Sequence, residues 1–362
     1  MTGFYAHDKL LRQNQNIMYK LLKLERFTAF EKLEVDFSSG INIFVGANGT
    51  GKTHLLKLIY AASDVTRSEK KLAEKINTVF LPSKNQIGRL VKRSPSSNKG
   101  FIEWTREVSE REDIKMRLSL SSHTTTSDKA SLSGAHKRWM ESPLESVYIP
   151  VKDMMANAPG FRSLYAQRHI HFEEVYADII DRVFLSSLKG PADKDRKKLL
   201  SLLQEAMEGK VISKNEEFFL KNKQGELEFT LLAEGIRKLA LLWVLIQNGT
   251  LLKGAILCWD EPETNLNPLL MRTVVSILIE LKRLGVQIFL STHDYVILKE
   301  FDLQTQVDDQ ISYHALARDK ETQNITLRTT KHYLKISPNT IDETFFDLVN
   351  REIERSMKGV SE

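Results

Sequence analysis

The stretch that decides the fold is Gly46-Ala47-Asn48-Gly49-Thr50-Gly51-Lys52-Thr53. This phosphate loop matches Gly-x-x-x-x-Gly-Lys-Ser/Thr, in which backbone N–H groups surround phosphate oxygens at the positive N-terminus of a helix. We expect Lys52 to reach the β- and γ-phosphates and the Thr53 hydroxyl to ligate Mg²⁺. An apolar strand (41–45) precedes the loop and a helix follows it, a context that disfavours a chance glycine-rich turn. The sequence therefore predicts a binding site for ATP and Mg²⁺.

A second segment supplies the carboxylates that phosphoryl transfer needs. The apolar run 255–259 ends in Asp260 and Glu261, which is typical of a Walker B strand. Asp260 is expected to hold Mg²⁺ through water, and Glu261 to orient and polarise the attacking water, because catalysis of this reaction consists mainly of positioning and charge neutralisation. A helix-capping role for the two acids is the alternative.

A third feature follows the next apolar strand, 286–290, which leads into Ser291-Thr292-His293-Asp294. The carboxyl ends of parallel strands are where such sheets bind ligands. We therefore expect His293 to contact the γ-phosphate or the attacking water. Glu261, His293 and Lys52 are the predicted catalytic residues, and Thr53 and Asp260 the predicted metal ligands.

Strands and helices alternate in the second half of the chain, with helices at 235–247 and 268–284, which predicts a parallel sheet. Additional short strands are expected at 21–27, 33–37, 101–108 and 114–120, weaker ones at 311–317 and 325–330, and a terminal helix at 341–356. Residues 161–221 show a mostly helical pattern. The fold class is α/β of the P-loop NTPase type.

These motifs together resemble the ABC-type ATPases of the branch that contains RecF, SMC and the overcoming-lysogenisation-defect (OLD) proteins. The resemblance rests on the opening strand 24–30, on Trp259–Pro268 as Walker B plus D-loop, and on Ser291-Thr292-His293. It implies an ABC-ATPase head with an antiparallel β-subdomain, a mostly parallel core sheet and a helical insertion. Small OLD-like ATPases often belong to bacterial anti-phage defence systems.

The resemblance also implies that two heads sandwich ATP, each site being completed by the signature segment of the partner. The candidate signature is Leu232-Ala233-Glu234-Gly235-Ile236-Arg237, in which Gly235 fits the family pattern and Ala233 replaces its usual serine. That departure predicts slow turnover. Gln86 is a Q-loop candidate by position alone. Phe27 or Phe30 could stack near adenine, although core packing is the preferred interpretation.

The domain boundaries follow from this layout. We expect an N-terminal extension at 1–18, the first part of the head with the phosphate loop and β-subdomain at 19–160, the helical insertion at 161–222, and the second part of the head at 223–362. Too few residues follow His293 for a TOPRIM nuclease, and 161–221 is too short for an SMC coiled coil.

Composition sets further limits. The chain has 362 residues, a net charge of +5 and one cysteine, Cys258, so neither a disulfide framework nor a cysteine-cluster zinc site is available. The absence of long apolar stretches and of a signal-peptide pattern predicts a cytoplasmic protein without a membrane partner. The tract 84–99, which holds Lys84, Arg89, Lys92, Arg93 and Lys99 without an acidic residue, favours an anionic partner. Double-stranded DNA is one candidate, although charge alone does not identify it.

The leading hypothesis is an Mg²⁺-dependent ATPase that forms a homodimer or higher oligomer on binding ATP. It would engage DNA or control a separately encoded nuclease or toxin, in defence or DNA repair. The alternative is a nucleotide-dependent scaffold or sensor with little turnover that holds an effector inactive until triggered. A transporter subunit is disfavoured because no Leu-Ser-Gly-Gly-Gln string occurs. A P-loop kinase is disfavoured because such an enzyme does not need the combination of Asp260 and Glu261 at the end of one strand with His293 at the end of another.

Overall fold

The computed structural model describes residues 17–93, 98–109, 112–168, 170–190 and 192–357, so the predicted extension at 1–18 lies almost wholly outside them. The strands are β1 (Met18–Phe27), β2 (Phe30–Asp36), β3 (Ile41–Val45), β4 (Lys99–Ser109), β5 (Glu112–Ser121), β6 (Ser131–Gly134), β7 (Ser146–Ile149), β8 (Lys210–Lys214), β9 (Glu217–Asn222), β10 (Gly225–Glu228), β11 (Ile256–Asp260), β12 (Gln287–Thr292), β13 (Ile311–Arg318) and β14 (Ile325–Thr330). The helices are α1 (Lys52–Asp64), α2 (Leu72–Phe80), α3 (His136–Glu141), α4 (Phe161–Arg168), α5 (Glu174–Val183), α6 (Lys194–Met207), α7 (Glu234–Gln247), α8 (Pro268–Arg283), α9 (Tyr295–Gln304) and α10 (Thr340–Met357).

The central sheet has the order β14-β13-β3-β12-β11-β7. Strand β3 pairs in parallel with β12 and β13, and β11 pairs in parallel with β12 and β7, whereas β14 is antiparallel to β13. Residues of β3, β11 and β12 are buried throughout, as expected for strands covered on both faces. The predicted mostly parallel core sheet is confirmed.

A second sheet, β2-β1-β4-β5-β6, is antiparallel at every junction between neighbouring strands. Its apolar side packs on α1 and α2 in one hydrophobic core, which includes Leu22, Trp104 and Leu58. The predicted antiparallel β-subdomain is therefore confirmed. It covers one face of α1, the helix that carries Lys52.

The segment predicted to be a helical insertion is only partly helical. Helices α4, α5 and α6 agree with the prediction, but the expectation of helix beyond Gly209 is wrong, because β8, β9 and β10 form a small antiparallel sheet there. Val211, Phe218 and Leu220 alternate onto its buried side. The turn residues Asn215 and Glu216 both have positive φ, which suits a two-residue hairpin turn.

A buried ion cluster fastens this segment to the helix behind the phosphate loop. Lys75 of α2 is 1% exposed and lies 2.7 Å from Asp64, 2.9 Å from Glu174 and 2.7 Å from Asp178. Arg182 pairs with Asp64 at 2.8 Å. Burial raises the pKa of the Asp178 carboxyl to about 6, although Lys75 opposes that shift. The cluster joins α1, α2 and α5 through charges that are almost fully removed from water.

The remaining predicted strands and helices agree with the structure to within a few residues, and α3, β6 and α9 were not anticipated. A basic run at 194–198 lies on α6, and it is not wholly exposed to solvent, because Arg196 is buried. Its guanidinium donates to the backbone carbonyls of Ile246 at 3.2 Å and Gln247 at 2.6 Å, at the end of α7. No helix in the described part of the chain is long and apolar enough to cross a membrane.

Candidate functional site

The phosphate loop lies between β3 and α1, at the carboxyl edge of the central sheet. Gly51 has φ +91°, and a Cβ there would lie 2.5 Å from Cζ of the buried Phe30, so a side chain cannot be accommodated. The Lys52 ammonium donates to the carbonyl oxygens of Gly46 at 2.6 Å and Ala47 at 3.2 Å. Burial lowers the pKa of Lys52. The loop therefore holds the Lys52 ammonium at the N-terminus of α1, where phosphate would bind.

The two predicted metal ligands contact each other. Thr53 Oγ1 donates to Asp260 Oδ1 at 3.1 Å, and Ser291 Oγ donates to the same oxygen. The other carboxylate oxygen accepts from the Tyr148 hydroxyl at 3.1 Å. The parallel register explains the meeting, since Asp260 pairs with Ser291 and Thr292 pairs with Val45, immediately before the loop. A hydroxyl beside a buried carboxylate is the oxygen donor set that Mg²⁺ prefers, so these residues fit the ion.

Glu261 and His293 lie side by side at the ends of β11 and β12. His293 Nδ1 is 3.2 Å from Glu261 Oε1, and Thr264 Oγ1 lies 3.4 Å from Glu261 Oε2. Glu261 adopts φ +47°, a left-handed conformation that is uncommon for a non-glycine residue. Its backbone N–H donates to the carbonyl of Ser291 at 3.2 Å, which fixes the turn. The structure thus brings together the two side chains predicted to handle the attacking water.

Sequence analysis missed Glu263, which connects the D-loop to the strand end that carries His293. Its Oε1 accepts from Thr292 Oγ1 at 2.8 Å and from the backbone N–H of His293 at 3.0 Å. The side chain is 7% exposed, and among the described residues its Oε2 has no hydrogen-bond partner. Burial raises the pKa of this carboxyl. An acid so close after Asp260 and Glu261 was the available signal, although its partners lie on another strand.

The candidate signature segment leads into α7 and packs on the D-loop of the same chain. A Cβ on Gly235 would lie 3.1 Å from the Asn265 carbonyl, so this position favours glycine. Lys238, also missed from sequence, is buried and donates to the Thr264 carbonyl, and burial lowers its pKa. Ala233 is the N-cap of α7 and provides no side-chain cap hydrogen bond. The contribution of Gly235 to a nucleotide site therefore remains a prediction about a second subunit.

Two weaker predictions concern residues near the phosphate loop, and the structure adds a third residue, His54, that the sequence pattern did not single out. Phe27 and Phe30 are 1% and 0% exposed and belong to the hydrophobic core, in agreement with the core-packing interpretation. Gln86 lies between two short 3₁₀ turns and is half-buried, and its Q-loop role stays a prediction. His54 of α1 contacts Thr28 Oγ1 at 3.0 Å, and burial lowers its pKa to about 4, so it is neutral at physiological pH.

Comparison with protein families decides where this site belongs. A sequence model of the family described as "AAA domain, putative AbiEii toxin, Type IV TA system" matches residues 106–299, more than half of the chain. The chain belongs to this AAA-domain family. The matched region of this AAA-domain protein contains Asp260, Glu261, Glu263 and His293, and its phosphate loop precedes that region.

Curated relatives are similar over short segments. The DNA replication and repair protein RecF of Streptococcus suis is 33% identical over 73 residues, which are 20% of either chain. The RecF of Streptococcus agalactiae is 35% identical over 80 residues, 22% of this chain and 21% of that protein. The AAA-domain protein thus matches only about a fifth of the length of these relatives.

Solved structures show the fold over almost the whole chain. The SMC head bound to the C-terminal winged-helix domain of ScpA covers 88% of this chain and 100% of its own, with a TM-score of 0.58 and 14% identity. The SMC head domain of Thermotoga maritima gives a TM-score of 0.51, also at 14% identity, with 87% of this chain and 99% of that chain covered. The AAA-domain protein therefore has the P-loop ATPase fold of an SMC head.

Proposed function

We propose that this protein is an Mg²⁺-dependent ATPase that dimerises on binding ATP and uses turnover to engage DNA or to control a separately encoded effector. The observation that supports this proposal best is the constellation at the sheet edge. Thr53 contacts Asp260, and His293 contacts Glu261, so metal ligands and water-orienting groups lie on adjacent strand ends. Phosphoryl transfer requires this combination of a phosphate cradle, a metal and a positioned base.

In the proposed mechanism each side chain has a separate task. The phosphate loop and Lys52 bind the triphosphate. Thr53 and Asp260 would hold Mg²⁺, which would supply positive charge beside the phosphates. Glu261 accepts a hydrogen bond from the attacking water, and His293 lies within contact distance of Glu261 and orients the same water. Gly235 of a second subunit would complete the site.

The test of turnover compares Glu261→Gln with the wild-type protein in a phosphate-release assay with Mg²⁺ and ATP. Removing a positioned base is expected to lower turnover by about 100-fold or more. Glu321→Gln, which changes an exposed loop glutamate, is the matched control and should leave turnover unaltered. Unchanged turnover in Glu261→Gln would refute the role of this carboxylate.

Dimerisation has its own measurement. Because Glu261→Gln is expected to bind ATP without releasing phosphate, light scattering after gel filtration should show it as a dimer with ATP and as a monomer without nucleotide. The second variant, Lys52→Ala, should remain monomeric in both conditions. A variant that stops hydrolysing but never dimerises would refute dimerisation while leaving the ATPase assignment intact.

DNA engagement is the first proposed use of the ATP. Of the basic tract, Lys84, Arg89 and Arg93 are exposed, whereas Lys92 lies 2.8 Å from Asn324 and 3.7 Å from Glu31 and is held within the chain. If these exposed cations contact phosphates, affinity for duplex DNA should fall steeply with salt.

The DNA variants are designed around that salt dependence. Replacing Arg89 and Arg93 by glutamine should reduce the salt slope by about one unit for each lost phosphate contact. The control is Lys197→Gln, an exposed cation on α6. Binding that does not respond to salt would exclude this surface as a DNA site.

Control of an effector is the second proposed use, and the missing hydroxyl at Ala233 favours it in the low-turnover form of a sensor. The family description names a toxin system, and one SMC head was solved with a domain of ScpA bound, so a head of this fold can present a protein-binding surface. A setting in anti-phage defence of the OLD-like kind is part of this proposal. Tight ATP binding with negligible phosphate release, unchanged by DNA, would favour the sensor over the DNA-stimulated ATPase.

A further inference from the structure

Helix α10 carries an apolar side that the described residues leave largely exposed, apart from the contact of Phe345 with Tyr295. Within Thr340–Met357, all of which the structure describes, no side chain is buried. Six large apolar residues are exposed, from 39% for Val349 to 82% for Met357. They are Phe345, Phe346, Leu348, Val349, Ile353 and Met357. At 3.6 residues per turn these positions fall within about half of the circumference of the helix, so they form one continuous apolar side.

The N-terminal end of α10 packs against the start of α9, two positions after His293 in the sequence. The ring of Phe345 stacks on that of Tyr295, with centroids 4.1 Å apart and an interplanar angle of 4°. The Tyr333 hydroxyl donates to Asp342 Oδ1 at 2.5 Å. Tyr295 is the first residue of α9 and comes two positions after His293, and the Asp294 between them caps α9 by accepting from the N–H of Ile297 at 2.9 Å. A displacement of α10 therefore acts on the segment that positions His293.

The charge of α10 indicates what kind of molecule covers the apolar side. The helix has five acidic side chains and two arginines, and the chain as a whole has a net charge of +5. The acids are Asp342, Glu343, Asp347, Glu352 and Glu354, and the arginines are Arg351 and Arg355. A second α10 would bring like charges together, and an anionic lipid surface would be repelled. A cationic partner with an apolar face is complementary to the helix in both respects.

We propose that α10 is the docking site for a basic amphipathic helix of another protein, and that docking changes ATP turnover through the Phe345–Tyr295 stack. The docking step is independent of the proposed ATPase function. The effect on turnover rests on that function.

The docking test uses a defined probe. A fluorescent synthetic helix with leucines on one face and lysines on the other is titrated with the full chain and followed by anisotropy, beside a peptide in which glutamate replaces every lysine. We expect the lysine peptide to bind at least 10-fold more tightly than the glutamate peptide. We also expect the double variant of the protein, Phe346→Asp with Ile353→Asp, to bind the lysine peptide at least 10-fold more weakly than the wild type.

The aspartate variant separates the apolar contact from plain charge attraction, because each aspartate makes α10 more negative and would strengthen a purely electrostatic complex. Val307→Asp, at another position that is almost fully exposed, is the matched control and should bind as the wild type does. Equal binding of both peptides, or undiminished binding by the α10 variant, would overturn the proposal. So would self-association, or adsorption to phosphatidylserine vesicles, that the α10 variant abolishes.

Coupling is tested with Tyr295→Leu, which removes the stacked ring but keeps an apolar side chain. This variant should bind the lysine peptide with wild-type affinity, while the peptide-induced change in phosphate release, at least twofold in the wild type, is lost. A bound peptide that leaves wild-type turnover unaltered would overturn the coupling alone. If the wild type releases no phosphate at all, the ATPase proposal fails, and the binding measurements still decide the docking proposal.

Discussion

Replacing Glu263 by alanine or by glutamine separates its hydrogen-bonding role from its charge. In the wild type one carboxylate oxygen accepts two hydrogen bonds, from the Thr292 hydroxyl at 2.8 Å and from the His293 backbone at 3.0 Å. Alanine removes that acceptor. Glutamine retains it through its amide oxygen and removes the ionisable group.

The magnitudes follow from these contacts. Glu263→Ala leaves the buried Thr292 hydroxyl and the part-buried N–H of His293 without their acceptor. The free energy of unfolding should fall by about 1–3 kcal/mol for the first donor and by less for the second. Glu263→Gln keeps both bonds but places an NH2 group where Oε2 has no partner among the described residues, so the free energy of unfolding should fall by about 1–3 kcal/mol, less than for the alanine variant. In the alanine variant the backbone of His293 loses its hydrogen bond to residue 263, so turnover should fall by about 10- to 100-fold with little change in KM. The glutamine variant should restore most of that activity.

The pH dependence of the free energy of unfolding provides an independent test of the burial of Glu263. Burial raises the pKa of Glu263 above its value in the unfolded chain. Its contribution to stability is therefore fully present below the unfolded-state pKa and is lost as the pH rises through the folded-state pKa. The difference in stability between Glu263→Gln and the wild type should then shift in favour of the glutamine variant over that pH range.

Urea denaturation at several pH values measures the stabilities, and steady-state phosphate release measures kcat and KM. Glu321→Ala, at an exposed loop position, is the control for both measurements. If the alanine and glutamine variants lose turnover equally, a hydrogen-bonding role for Glu263 is refuted. If neither loses turnover, Glu263 does not position His293.

Two further predictions concern the signature helix and the ion cluster. Ala233→Ser supplies an N-cap hydroxyl to α7 and should raise the free energy of unfolding, measured in urea, by about 0.5–1 kcal/mol. A loss of stability would show that the serine does not cap the helix. If the serine also reaches the nucleotide site of a second subunit, the rate of phosphate release should rise. Lys75→Met leaves the carboxylates of Asp64, Glu174 and Asp178 without their shared cation and should lower the free energy of unfolding by about 3–5 kcal/mol. The control Lys71→Met, at an exposed position, should leave the free energy of unfolding almost unchanged. Equal losses of stability in the two variants would contradict a special role for the cluster.

The sequence was sufficient for the parts of the site that are encoded locally. The phosphate loop, the acids after β11 and the histidine after β12 each stand at the end of an apolar strand, and a parallel sheet brings such ends to one edge. Tyr148 could not be found in this way, because it lies 112 positions from Asp260 and only the pairing of β7 with β11 brings the two together.

The failure to predict some of the strands also has a physical reason. The hairpin of β8 and β9 follows directly on α6, and its buried side consists of only a few residues, so its alternation was hidden within a helical context. The terminal helix predicted at 341–356 is confirmed as α10. An apolar side on a helix normally indicates burial, and only the structure shows that the described residues leave this one exposed.

The ion cluster at Lys75 has a mechanical consequence. Sliding α5 along α1 would separate Glu174 and Asp178 from Lys75, and Arg182 from Asp64, in a largely buried space where each uncompensated ion costs several kcal/mol. We therefore expect the contact to resist shear, so that α1 and α5 move together if nucleotide binding shifts α1.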